Sequence, residues 1–183
     1  LSHFSKGDIV VLQNEINNVP YIIERCYEKE MKSFFNAAPY DIAVKNYPIE
    51  KVTWLVVNET EGAALSNEED YEKIIQTLKQ KYPHTHILFT MGKEGSIAFH
   101  EGKEVFHAPF LQKNTIETTG AGDTFGACAL NYVLENGIIG LSEEQLYEML
   151  EFANGASSLI TTKKGALRVM PTKEAVETFI STK

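Results

Sequence analysis

Apolar residues gather along this chain in two kinds of run that alternate with each other. Short runs rich in β-branched and aromatic residues occur at Asp8 to Leu12, Ser33 to Asn36, Val52 to Val57 and Thr85 to Met91. They have the length and composition of strands, and Asp8 to Leu12 reads as a strand buried on both faces. Between them the apolar positions recur every three or four residues, which is the helical period. Pro20 to Met31 is predicted helical with Ile22, Ile23, Cys26 and Tyr27 on one stripe, and Glu68 to Lys81 with Tyr71, Ile74, Ile75 and Leu78. A short helix is expected at Asp41 to Lys45. Further on, Ser96 to His100 and Lys103 to His107 flank Glu101-Gly102 and predict a hairpin. Phe125 to Leu134, Ser142 to Thr161 and Thr172 to Ile180 are the last helical runs. Ser142-Glu143-Glu144-Gln145 resembles a capping box, and Leu146, Met149, Leu150, Ala153, Ser157 and Ile160 make one face of the helix behind it.

Strands alternating with helices imply an α/β fold: a Rossmann-like, mainly parallel sheet with helices on both faces and one late hairpin. Ligands of such sheets bind beyond the carboxyl ends of the strands. The polar clusters Asn58 to Glu61 and Thr90 to Gly95 both follow predicted strands at that edge. With 183 residues, 43% apolar and 23% charged, the chain can bury a sizeable core as one domain over 1–183. The net charge of −8 argues against a nucleic-acid or anionic-membrane partner. No run is long and apolar enough to cross a membrane, and no signal peptide opens the chain. Cys26 and Cys128 fit no metal spacing and read as buried, reduced thiols of a cytoplasmic protein. Leu1-Ser2-His3-Phe4 lacks an initiator Met and a strand follows almost at once, so the chain is expected to begin inside a fold.

Chemistry concentrates at Thr118-Thr119-Gly120-Ala121-Gly122-Asp123-Thr124-Phe125-Gly126. Glycines just before a helix admit close backbone approach and aim N–H groups and the positive dipole end at a ligand. Asp123 in the same turn adds a base, and an anion hole joined to a base is what phosphoryl transfer to an alcohol requires. The same turn also fits a plain helix start. Asn58 and Glu61 suit a Mg²⁺ held through its own waters, although taken alone the motif reads first as a helix N-cap with acids in the first turn. Thr90, Gly92, Lys93 and Gly95 fit a phosphate- or ribose-wrapping loop, or a hairpin turn needing positive φ. Asn154 interrupts an apolar helix face; it lines a nucleotide pocket or bonds a neighbouring turn. Thr161 to Ala166 reads as a helix C-terminus with favourably placed lysines. His3, His84, His86, His100 and His107 have no metal spacing and receive no role.

The order of these motifs is more telling than any one of them. Asn-x-x-Glu, Thr-x-Gly-x-x-Gly, Thr-Thr-Gly-Ala-Gly-Asp-Thr-Phe, Phe-Ala-Asn-Gly-Ala-Ser-Ser and Thr-Lys-Lys-Gly-Ala follow one another from about Gly7 onward. The chain thereby resembles the ribokinase-like sugar kinases, the phosphofructokinase B family. The resemblance implies ATP-dependent phosphorylation of a sugar hydroxyl, with Mg²⁺. Asp123 matches the catalytic base and the backbone of Gly120, Ala121 and Gly122 the anion hole. Asn58 and Glu61 match the motif that organises Mg²⁺ and phosphates. Thr90, Gly92, Lys93 and Gly95 fall on the nucleotide loop, and Asn154 beside the adenine. Glu15 matches an acidic sugar-contacting position. Asn36-Ala37-Ala38-Pro39 resembles the family's Asn-Pro-x-Pro turn and departs from it at position 37.

Two departures shape what the resemblance implies. Glu117, Thr119 and Gly165 fall on the loops that hold a monovalent cation such as K⁺, but Glu117 stands where many members carry Asp and Val169 where they often carry Ser. The larger departure is the family's N-terminal part and its small β lid, which this sequence does not contain. Acceptor choice is therefore ranked by resemblance alone: ribose- or fructose-like sugars, then nucleosides or deoxy-keto sugar acids, then pyridoxal-type alcohols. Pairing into a homodimer would use that lid. The alternative expectation is a nucleotide-binding fragment or regulatory domain without kinase activity of its own.

Overall fold

The computed structural model describes residues 3–183, so Leu1 and Ser2 of the odd N-terminal tetrapeptide lie outside the described residues. Six strands follow chain order across the sheet, β1-β2-β3-β4-β5-β6. They are Ile9–Gln13, Lys32–Asn36, Trp54–Val57, His86–Thr90, Ser96–His100 and Lys103–His107. The first four pair in parallel, with Val10 opposite Ser33, Phe34 opposite Trp54 and Val56 opposite Leu88. A parallel pair needs a long crossover, and each of these pairs has one. β5 and β6 are joined by Glu101 and Gly102, whose φ values of 50° and 82° are the two consecutive positive angles of a tight hairpin turn. The mixed, mainly parallel sheet is the expected α/β architecture.

The chain divides into two compact units. The first runs to Phe89 and includes Phe99–Glu101. Its core lies on both faces of the parallel strands, with Phe35, Trp54, Leu55, Val57, Ile87 and Phe89 all fully buried. Three helices are α1 (Val19–Glu28), α2 (Glu59–Ser66) and α3 (Tyr71–Lys81). α1 buries Val19, Ile23 and Cys26, spaced as one helical stripe. α3 starts at Tyr71 rather than Glu68 because the Asp70 side chain accepts from Lys73 N and caps it there. Gly62 lets α2 approach closely: a Cβ on it would stand 2.9 Å from Ile74 and 3.0 Å from Phe89.

The second unit comprises Thr90–Ala98 and Gly102–Lys183. It contains α4 (Ala121–Asn136), α5 (Glu143–Ile160) and α6 (Lys173–Ser181). α4 buries Phe125, Ala129 and Val133, and α5 buries Leu146, Met149, Leu150, Ala153, Ala156 and Ile160. α5 opens with the capping box expected of Ser142 and Gln145. Gly155 admits α6, since a Cβ there would meet Ile180 at 3.0 Å.

Four expectations need correction. β1 is not buried on both faces: Val11 is 55% exposed, because a strand at the end of the sheet order has fewer covering elements. Tyr27 is exposed and leaves the α1 stripe to Val19. α2, treated in the sequence only as a polar cluster with a cap, is a full helix. Cys128 is half-buried rather than buried; both cysteines are free.

Candidate active site

In the first unit, polar residues stand just past the carboxyl ends of the parallel strands, as the switch from strand to turn requires. Glu15 follows β1 and is exposed. Beside it Asn14 ties down the turn after β2, its Nδ2 donating to Pro39 O at 2.8 Å while Tyr47 donates to its Oδ1 at 2.9 Å. That turn, Asn36 to Pro39, contains a cis Ala38–Pro39 peptide. After β3 come Asn58 and Glu61, which form a reciprocal capping box. Glu61 N donates to Asn58 Oδ1 at 3.0 Å, and Asn58 N and Nδ2 donate to the two Glu61 oxygens at 2.9 and 3.1 Å. Glu61 is almost wholly buried. Burial pushes its carboxyl above the ordinary value, partly offset by the hydrogen bond from the Asn58 backbone.

This closure decides how the pair can serve a cation. Each Glu61 oxygen already accepts one hydrogen bond, leaving one lone-pair direction apiece. Those remaining directions could accept from the waters of a hydrated Mg²⁺. Among the described residues no three His, Cys, Asp or Glu side chains gather into a direct cation cage.

The second unit holds the remaining candidates. Thr90 ends β4, and Met91 N donates to Gly95 O at 2.8 Å, closing the loop between them. Gly92, Lys93 and Glu94 form a short exposed turn, with φ 50° at Gly92 and 103° at Gly95. Gly95 is needed twice over: its positive φ, and a would-be Cβ only 2.3 Å from His107 O.

Gly120 is the N-cap of α4 in a left-handed conformation, φ 82°, and no side chain caps the helix. Thr124 N and Oγ1 both donate to Gly120 O, and Ser157 Oγ donates to Ala121 O at 2.9 Å. Ala121 is partly exposed; Gly122 and Asp123 are exposed. Gly122 has no positive φ, and a Cβ on it would meet nothing within 4 Å. Neither strain nor crowding inside the protein accounts for that glycine.

Glu117 and Gly165 come together: Gly165 N donates to Glu117 Oε2 at 3.0 Å. Ile116 N and Glu117 N both donate to Thr161 O. Thr119 is exposed in the same loop. The backbone of this loop thus meets the C-terminal end of α5, while the Glu117 side chain reaches Gly165 beyond it, and its second oxygen is not used by that bond. Asn154 is bonded within its unit: its amide lies 3.1 Å from Ser96 Oγ and 3.0 Å from His107 Nδ1. His107 and Ser96 received no role in the sequence. Their one visible signal is position, since Ser96 directly follows Gly95 and His107 ends the paired strand.

The family model described as pfkB family carbohydrate kinase matches residues 25–173. A ribokinase of Bacillus subtilis (strain 168) is 30% identical over 183 residues, covering 99% of this chain and 58% of that protein. The structure of Arabidopsis thaliana ribokinase complexed with ribose and ATP superposes with a TM-score of 0.78 at 29% identity, over 94% of this chain and 55% of that one. A Vibrio cholerae fructokinase in its fructose-, ADP- and calcium-bound form shares the fold, with a TM-score of 0.80 at 18% identity over 97% of this chain and 62% of that one. The chain thus spans a little over half the length of these relatives. Matched over most of its length by the family model, it belongs to the pfkB family of carbohydrate kinases.

Proposed function

We propose that this chain carries the phosphate-handling machinery of an ATP-dependent sugar kinase acting on a ribose- or fructose-like hydroxyl. The observation that carries the reading is the start of α4. A helix whose N-terminus has no side-chain cap, an exposed acid in its first turn and a glycine required by nothing inside the protein is built to meet something from outside. A phosphoryl group fits it: the Gly120, Ala121 and Gly122 backbone and the dipole face charge that grows in transfer. Asp123 takes the proton of the sugar hydroxyl as its oxygen bonds to the γ-phosphorus and the bond to the β-phosphate oxygen breaks, releasing ADP.

The other residues take supporting parts. Thr90, Gly92, Lys93 and Gly95 hold the nucleotide, with Asn154 at its base end and Glu15 toward the sugar. Mg²⁺, when bound, neutralises phosphate charge, and Asn58 and Glu61 are the residues that would tether its waters. Glu117, Thr119 and Gly165 would hold a monovalent cation behind the anion hole. An acidic chain with two free thiols suits the cytoplasm.

Because the chain covers 58% of the B. subtilis ribokinase, a second proposal is that it binds nucleotide without transferring phosphate. Calorimetric titration with ATP and Mg²⁺, followed by product assay with ribose and fructose, separates the two. Binding with sugar phosphate formed supports the kinase, binding without product supports the second reading, and no binding overturns both.

A further inference from the structure

α5 presents two stripes. The apolar one, Leu146 to Ile160, faces the core of its unit. The other consists of Tyr147, Glu151, Asn154 and Ser158, at helical spacings of four, three and four residues. All four grip one short segment, His107 to Phe110. The His107 ring lies 4.9 Å from that of Tyr147, and its Nε2 lies 3.9 Å from Glu151 Oε1. Asn154 meets its Nδ1 at 3.0 Å, and Ser158 Oγ donates to Phe110 O at 2.6 Å. Phe110 also packs against the His107 ring, with centroids 5.4 Å apart.

His107 is 6% exposed and Ser96 wholly buried, so the polar atoms between them have to satisfy one another. His107 Nδ1 lies 2.6 Å from Ala108 O and 3.0 Å from Asn154 Nδ2. Ser96 Oγ donates to Asn154 Oδ1 at 3.1 Å, and Asn154 Nδ2 faces His107 Nδ1 and donates to His107 O at 3.5 Å. One amide thus joins the start of β5, the end of β6 and α5. Gly95 presses against the same point, its would-be Cβ 2.3 Å from His107 O.

We propose that His107 is a positioning residue for the loop Thr90–Gly95, locking the loop's end to α5 through Asn154 and Ser96. The proposal rests on the reading of that loop as the nucleotide loop. Asn154 then acts on the nucleotide through the lock as well as at its edge. His107 touches no reacting atom in this scheme; it fixes where the loop stands.

The test compares His107→Phe, which keeps the ring contacts and loses the hydrogen bonds, with His107→Asn, which keeps a polar, hydrogen-bonding atom near the Nδ1 position. Mg-ADP affinity is measured by calorimetry, and amide hydrogen exchange is followed at Met91 and Gly95. His107→Phe is expected to weaken Mg-ADP about tenfold, the scale of one buried hydrogen bond, and to speed exchange at both amides. His107→Asn should restore most of the affinity, and turnover at saturating ATP should change little in either. Ser96→Ala gives the same direction of change should His107→Phe fail to fold. Unchanged affinity in His107→Phe, or in Ser96→Ala if that is the variant that folds, overturns the lock. If the wild-type chain binds no nucleotide, the kinase reading fails, and exchange alone decides: faster exchange supports the lock, unchanged exchange overturns it.

Discussion

Two helix starts in this chain carry the motifs of most interest, and they are built in opposite ways. α2 begins inside a closed box in which Asn58 and Glu61 satisfy each other's polar atoms, with Glu61 buried. α4 begins at a left-handed glycine without a side-chain cap, and Gly122 and Asp123 are exposed. The glycine in each first turn or so repeats the contrast. Gly62 is a packing residue pressed against Ile74 and Phe89, whereas Gly122 has open space around it. A closed helix start has spent its orphan N–H groups on its own side chains, and an open one keeps them for a ligand. On the proposed reading, chemistry on the phosphate belongs to α4, and α2 contributes rigidity and a buried carboxyl.

The largest effect should come from removing the base at the open start. Asp123→Asn keeps shape and is expected to lower kcat by roughly 10²- to 10⁴-fold, with ATP affinity held within about twofold. Steady-state kinetics with a sugar acceptor and calorimetry on the same variant check it; retention of most turnover would remove Asp123 from the mechanism.

The two glycines then give changes of opposite sign. Gly122→Ala should raise stability by about 0.5–1 kcal/mol, the ordinary gain of alanine over glycine in a helix. It should also lower kcat/KM at least about tenfold by intruding on the phosphate approach. Gly62→Ala should instead destabilise by about 1–3 kcal/mol through overpacking, with the kinetic constants of the folded fraction unchanged. Denaturant unfolding and kinetics on both variants decide the matter. Equal effects on stability would abolish the distinction between the two helix starts.

Much of this was legible in the sequence, and the exceptions share a cause. Strand and helix periods located every strand, and the capping box at Ser142 and the N-cap at Asn58 could be read from the residues. Motif order led to the family through residues such as Gly120, Asp123 and Asn58, whose neighbours in the chain are also their neighbours in the site. What sequence could not supply was anything made by contact between distant residues. The joining of Ser96, His107 and Asn154 spans 58 residues, and neither hydroxyl nor imidazole lies in a local pattern. The exposure of Val11 depends on sheet order, which a run of apolar residues does not encode. Gly62 and Gly122 look alike in a string of letters, and only the surrounding space tells them apart.

A smaller effect separates the cap from the charge in Glu61. α5 already uses Gln145 where α2 uses Glu61, donating and accepting in the same box. Glu61→Gln should therefore keep α2 capped, losing about 1 kcal/mol as the bond from Asn58 Nδ2 is forfeited. If the carboxylate tethers magnesium waters, the Mg²⁺ concentration giving half-maximal activity should rise several-fold, on the order of a lost charge–water contact. An unchanged magnesium requirement would leave Glu61 as a cap alone.

The finest discrimination is in the pH dependence of stability. Glu61 has its folded-state value raised by burial above the ordinary 4.5. The folded protein then holds this proton in a range where the unfolded chain has released it. Folding stability consequently falls as pH rises from about 4.5 through the raised value, and the loss is complete above it. Glu61→Gln has no such proton to lose, so wild type measured against it should lose stability across that window and run parallel elsewhere. Magnesium with nucleotide favours the ionised carboxylate if Glu61 faces its waters, and should then shrink the wild-type loss. A slope indifferent to magnesium would assign the buried charge to the helix cap and nothing further, and the functional contrast between α2 and α4 would become complete.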